Sequence, residues 1–106
     1  MVSRVLVVED EALIADDVQR SLQQLGYEVP LTVGTGKEAL RAAEDVRPDL
    51  VLMDIKLRGA MDGIEAAARI REGFAIPIVF LTSHSDEATL ARATKSRPYG
   101  YLLKPF

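Results

Sequence analysis

The 106-residue sequence predicts an α/β domain, a doubly wound parallel sheet with helices on both faces. Short apolar runs alternate with amphipathic stretches of helical period. The apolar runs are continuous rather than alternating, as in strands buried on both faces. Four of them stop on a chemically specific residue. Val5-Leu6-Val7-Val8 runs into Glu9-Asp10, Leu50-Val51-Leu52-Met53 into Asp54, Ile78-Val79-Phe80-Leu81 into Thr82, and Tyr101-Leu102-Leu103 into Lys104-Pro105.

The elements follow in order. Strand one covers about 4–8 and helix one about 11–25, with Ile14, Val18, Leu22 and Leu25 on one face and Gly26 placed to end it. Strand two spans Tyr27 to Val33 and contains Pro30, which cannot donate to a ladder, so it is expected at a sheet edge. Thr35 and Glu38 form a capping-box signal for helix two, about 36–46, and Pro48 breaks the pattern. Strand three covers about 49–54. Asp62 and Glu65 repeat the capping box before helix three, about 63–72. Strand four, about 76–82, has Pro77 at its start, where a missing donor is tolerated. Ser85 can cap a short helix four, about 86–96, ended by Pro98, and strand five is about 100–103.

Residues 1–106 read as one domain. The hydrophobic fraction of 48% and charged fraction of 27% are ordinary for a globular fold. A net charge of −3 argues against direct nucleic-acid binding. Without cysteine, the chain has no disulfide, thiolate metal site or cysteine nucleophile, and with His84 as its single histidine it has no multi-histidine site. No apolar run approaches the roughly 18 residues of a membrane span. Met1-Val2-Ser3-Arg4 leads straight into a strand, which predicts no signal peptide, and the composition predicts a cytoplasmic protein. Only Lys104, Pro105 and Phe106 follow strand five, whereas a last helix is expected to cover one face of strands one and five. The sequence therefore reads as truncated before that helix, or as covered by a neighbouring domain or chain.

In a parallel sheet all strand ends of one sense share an edge, and ligands sit beyond the carboxyl edge. Glu9, Asp10, Asp54, Thr82 and Lys104 fall there. If strand one neighbours strand three, Asp10 and Asp54 end side by side. Carboxylates that close repel unless one is protonated or a cation joins them. Mg2+ suits a few carboxylates completed by water and phosphate oxygens. Taken alone, Glu9-Asp10-Glu11 equally suits a helix N-terminus. Asp54 is more telling, because it follows four apolar residues directly. A lone lysine after a strand is usually solvated and a lone strand threonine usually structural, but here both share the edge with the acids. A carboxylate nucleophile, a cation site, a hydroxyl and an amine are the parts aspartyl-phosphate formation needs. Gly34-Thr35-Gly36-Lys37 misses the spacing of a phosphate loop and reads as a strand-to-helix turn.

These stretches together resemble the response-regulator receiver domains of two-component signalling, the CheY-like superfamily. The resemblance is carried by Val7-Val8-Glu9-Asp10-Glu11, Leu52-Met53-Asp54-Ile55, Asp62-Gly63-Ile64-Glu65, Pro77-Ile78-Val79-Phe80-Leu81-Thr82-Ser83 and Gly100-Tyr101-Leu102-Leu103-Lys104-Pro105-Phe106, and it covers the whole chain. It implies a flavodoxin-like sheet of five parallel strands in the order 2-1-3-4-5. Asp54 matches the phosphoacceptor. Asp10, Glu9, Asp54 and the backbone carbonyl of Lys56 match the ligands of Mg2+ (or Mn2+). Thr82 and Lys104 match the hydroxyl and amine that contact the phosphoryl group, Pro105 the residue after that lysine, and Tyr101 the aromatic switch that moves with Thr82. The implied partners are a sensor histidine kinase or phosphotransfer protein, an output domain or downstream partner on the helix 4/strand 5 face, and a second copy in a homodimer. The implied role is a phosphorylated switch that assists its own phosphotransfer and dephosphorylation, not a turnover enzyme.

The segment Lys56-Leu57-Arg58-Gly59-Ala60-Met61 departs from that pattern. It lacks the proline common there and is about one residue longer. Lys56 and His84 occupy variable positions flanking the site. Two other readings stand beside the switch. One is a Mg2+-dependent phosphohydrolase acting through an aspartyl phosphate, which usually has a second acid two residues after the nucleophile, where this chain has Lys56. The other is an interaction module of the same fold that is never phosphorylated.

Overall fold

The computed structural model describes residues 3–57, 59–82 and 100–103. The predicted helix over 86–96, together with His84, Lys104 and Pro105, lies outside the described residues, as do the side chains of Thr82 and Tyr101. The described elements are β1 (Val5–Val8), α1 (Ala12–Gln24), β2 (Thr32–Val33), α2 (Gly36–Val46), β3 (Leu50–Asp54), α3 (Gly63–Phe74), β4 (Ile78–Thr82) and β5 (Gly100–Leu103). The strands form one parallel sheet in the order β2-β1-β3-β4-β5. This is an α/β fold, a doubly wound parallel sheet with its strands in the expected order.

Period-two alternation within each strand divides the core. Leu6, Val8, Val51, Met53, Ile78 and Phe80 pack with Ala39, Ala42 and Ala43 of α2 and Ile64, Ala66, Ala67 and Ile70 of α3. Val5, Val7, Leu52 and Leu81 pack on the opposite face with Val18 of α1 and with Val29. Burial on both faces explains the continuous apolar runs. Each large side chain fully removed from water, such as Phe80 or Leu6, contributes about 1.5–3 kcal/mol.

Side-chain caps set the starts of α2 and α3. Thr35 Oγ1 accepts from the Glu38 N–H at 3.1 Å, and Glu38 Oε1 in turn takes the Thr35 hydroxyl at 3.1 Å and the Gly34 N–H at 3.4 Å. Gly34-Thr35-Gly36-Lys37 is thus the turn into α2. Asp62 Oδ1 caps α3 by accepting from the Glu65 N–H at 2.9 Å. Glu65 pairs with Arg69 at 2.9 Å, so only half of the predicted capping box is seen.

Two local expectations change. Strand two is shorter than 27–33: it pairs through Thr32 and Val33, preceded by an isolated bridge between Arg4 and Glu28. Pro30, without an N–H, falls between bridge and strand. β2 is nevertheless an edge strand, as that proline predicts. Leu25 is not on the buried face of α1. It caps the helix and is 74% exposed, because Gly26 turns the chain with φ +97° before the next apolar position is reached.

Candidate metal centre at the carboxyl edge of the sheet

β1 and β3 pair in parallel with Val8 opposite Met53, so the next residues, Glu9 just past β1 and Asp54 at the end of β3, stand side by side at the carboxyl edge. By alternation both continue the rows of Val7 and Leu52, on the α1 face. Asp10 follows Glu9 into the turn before α1. A ligand oxygen from each of Glu9, Asp10 and Asp54 lies within 4.8 Å of the others. Glu9 is 3% exposed and Asp54 6%. The sequence-predicted acids are therefore brought together.

The backbone after each strand orients its acid. Asp54 Oδ1 accepts the Lys56 N–H at 3.2 Å, and Glu9 Oε2 accepts the Glu11 N–H at 3.3 Å. Both are contacts to the amide two residues on, which for the short side chain of Asp54 is a favoured local turn. Glu9 thus also serves the start of α1, as the plainer reading of that acidic run requires. Ile55 donates to Leu81 O at 3.2 Å, which ties the chain after Asp54 to β4. β4 ends at Thr82, whose backbone is in register with Leu103, the residue before Lys104. The Lys56 side chain is exposed.

Repulsion between two carboxylates at this separation is on the order of 3 kcal/mol at an effective dielectric of about 20. Positive charge among them relieves it. The donor set is oxygen only, which suits a hard cation such as Mg2+ or Mn2+ rather than a thiophilic metal. Glu9 and Asp10 border an open cleft of about 350 Å3, with Asp16, Gln19 and Gly34 also on its walls. Among the described residues, no helix is long and apolar enough to cross a membrane.

Close backbone approaches complete the site. A Cβ on Gly63 would overlap the Asp54 carbonyl oxygen, and one on Gly36 would stand 3.1 Å from Met61 O. The sequence marks Gly63 only as part of a motif and Gly36 only as part of a turn. The available signal is a glycine at the first position of each helix, where a better helix former would otherwise serve.

Residues 5–106 match the family described as "Response regulator receiver domain". Transcriptional regulatory protein PdtaR of Mycobacterium tuberculosis (strain ATCC 25618 / H37Rv) is 45% identical over 103 residues, covering 97% of this chain and 50% of that protein. The chain thus spans about half the length of the curated relatives it matches. The signal receiver domain of a modulated diguanylate cyclase from Desulfovibrio desulfuricans G20 superposes with a TM-score of 0.94 at 47% identity, covering 99% of this chain and 83% of that one. The receiver domain of sensor histidine kinase PA1611 from Pseudomonas aeruginosa PAO1, described with a magnesium ion coordinated in the active-site cleft, superposes with a TM-score of 0.87 at 32% identity, covering 100% and 88%. Receiver domains are signalling switches rather than classical enzymes, and they work with histidine kinases and output domains. With its parallel sheet and its acids gathered at the carboxyl edge, this chain belongs to the receiver-domain family of two-component response regulators.

Proposed function

We propose that Asp54 is the phosphoacceptor of this receiver, and that Glu9, Asp10, Asp54 and the Lys56 backbone carbonyl hold Mg2+ (or Mn2+). The observation that carries this reading is the convergence of three carboxylates, two of them nearly buried, at the carboxyl edge of the sheet. The magnesium described in the PA1611 receiver is consistent with it. Bound there, the cation offsets negative charge on an incoming phosphoryl group.

The donor is a phosphohistidine on a sensor kinase or phosphotransfer protein. An Asp54 carboxylate oxygen attacks phosphorus, the P–O bond forms and the P–N bond to histidine breaks. The Lys56 N–H on Oδ1 restrains rotation of the carboxylate, so the attacking group is oriented beforehand. Lys104 takes one phosphoryl oxygen and Thr82 another, and Tyr101 moves with Thr82. The two states differ in their contacts to the phosphoryl group, which biases an existing equilibrium and alters the helix 4/strand 5 face. An output domain, a downstream partner or a second copy reads that face. Hydrolysis of the acyl phosphate in the same site resets the switch.

The test is intact mass after incubation with Mg2+ and acetyl phosphate. Wild type gains one phosphoryl group, and Asp54→Ala and chelator-treated wild type gain none. Equal gain in wild type and Asp54→Ala, or none in either, refutes the assignment.

A further inference from the structure

The segment that joins Asp54 to α3 contains no proline, and it carries the proposed metal-ligating carbonyl of Lys56. Something other than proline stiffness must hold it. Two helix starts bear on its far end. The Gly63 N–H donates to Ile55 O at 2.9 Å, and a Cβ on Gly63 would overlap the Asp54 carbonyl oxygen and approach Ile55 Cα to 2.9 Å. The first residue of α3 is therefore seated directly on the Asp54–Ile55 backbone. Gly36, the first residue of α2, lies against the residue just before the α3 cap. A Cβ there would stand 3.1 Å from Met61 O and 3.2 Å from both Met61 Cβ and Cγ. Met61, Asp62 and Gly63 are consecutive. Met61 therefore stands two residues before the Gly63–Ile55 hydrogen bond, which in turn abuts the turn that joins Asp54 to Lys56.

We propose that Gly36 is a positioning residue for the metal-binding loop: the side-chain-free start of α2 lets Met61 seat, and that seating holds the Gly63–Ile55–Lys56 backbone in ligating geometry. The inference rests on the proposed Mg2+ site. It has an unusual sign. Alanine is preferred over glycine by up to about 1 kcal/mol in a helix interior and by less at the first position, so Gly36→Ala favours α2 slightly while displacing Met61 by a few tenths of an ångström. Stability and metal affinity should therefore separate.

The experiment compares wild type, Gly36→Ala and Gly73→Ala by Mg2+ titration calorimetry, by thermal unfolding without Mg2+, and by backbone amide NMR without Mg2+. Gly73 is the control, a helical glycine with nothing within 4 Å of an added Cβ. Gly36→Ala is expected to raise the Mg2+ Kd about tenfold, the scale of a lost supporting contact at a metal site. Its metal-free melting temperature should not fall. The amide resonances of Ile55 and Lys56 should move while those of Val5–Val8 stay, and Gly73→Ala should bind Mg2+ as wild type does. An unchanged Kd with unmoved Ile55 and Lys56 resonances overturns the inference and leaves the metal site standing. A melting temperature that falls along with affinity overturns it too, since the defect is then general. No Mg2+ binding by wild type removes the site itself, and the inference with it.

Discussion

Gly63 is packed against Asp54 so closely that a Cβ on the glycine would overlap the aspartate's own carbonyl oxygen. The start of α3 and the end of β3 are therefore one structural unit, and the acid of the site is held by backbone as well as by its side-chain contacts. The neighbouring atom is backbone and cannot rotate away. Gly63→Ala should cost about 2–3 kcal/mol, the upper part of the range for a strained insertion into packed structure. Urea unfolding measures it, and a loss below about 1 kcal/mol would show that α3 can shift cheaply.

A cation bound only by the folded state stabilises by mass action. At 100 times its Kd, Mg2+ should add about 2.7 kcal/mol to wild type. Asp54→Asn keeps an acceptor for the Lys56 N–H but removes one charge from the cluster. The variant should fold, lose most of the Mg2+-dependent gain and accept no phosphoryl group. Melting curves with and without Mg2+ check this, and equal Mg2+ gains in both proteins would exclude Asp54 as a ligand.

Two helices end on residues in the left-handed region without being glycine: Arg47 at φ 51° after α2 and Ala75 at φ 56° after α3. Such a conformation costs an L-residue about 1–2 kcal/mol. Ala75→Gly relieves it and leaves the cap N–H on Arg71 O, so a gain of about 1 kcal/mol is expected. Arg47 also stands over the Phe74 ring at 5.1 Å from its centroid. An exposed cation–π contact is worth about 0.5–1 kcal/mol, so Arg47→Gly should be close to neutral. The comparison by denaturant unfolding fails if Arg47→Gly stabilises as much as Ala75→Gly.

The Thr35 cap of α2 is a side-chain contact and should behave as one. Thr35→Ala removes the acceptor for the Glu38 N–H and the hydroxyl that meets Glu38 Oε1, at a cost of about 1 kcal/mol. Thr35→Ser should recover most of it. Thermal unfolding of the pair distinguishes a cap from a merely buried methyl group, for which serine would behave like alanine.

Sequence by itself determined the elements whose causes are local. Continuous apolar runs specify doubly covered strands, Thr35 and Asp62 start helices, Gly26 stops one, and Pro30 points to an edge position for the strand that follows it. It also determined which residues stand at the strand ends, because counting along a strand requires no knowledge of its neighbour. The family resemblance implied that strand one lies beside strand three, but tertiary structure alone decided the register, Val8 opposite Met53, and hence how closely Glu9 and Asp10 meet Asp54. That pairing joins residues far apart in the chain through crossovers, and no local pattern encodes it. The glycine approaches at Gly36 and Gly63 were equally hidden, because a missing side chain reveals its purpose only once the backbone that fills its place is known. Even Leu25 obeyed the tertiary outcome: its helical spacing is correct, but the chain turns at Gly26 before the core can reach it.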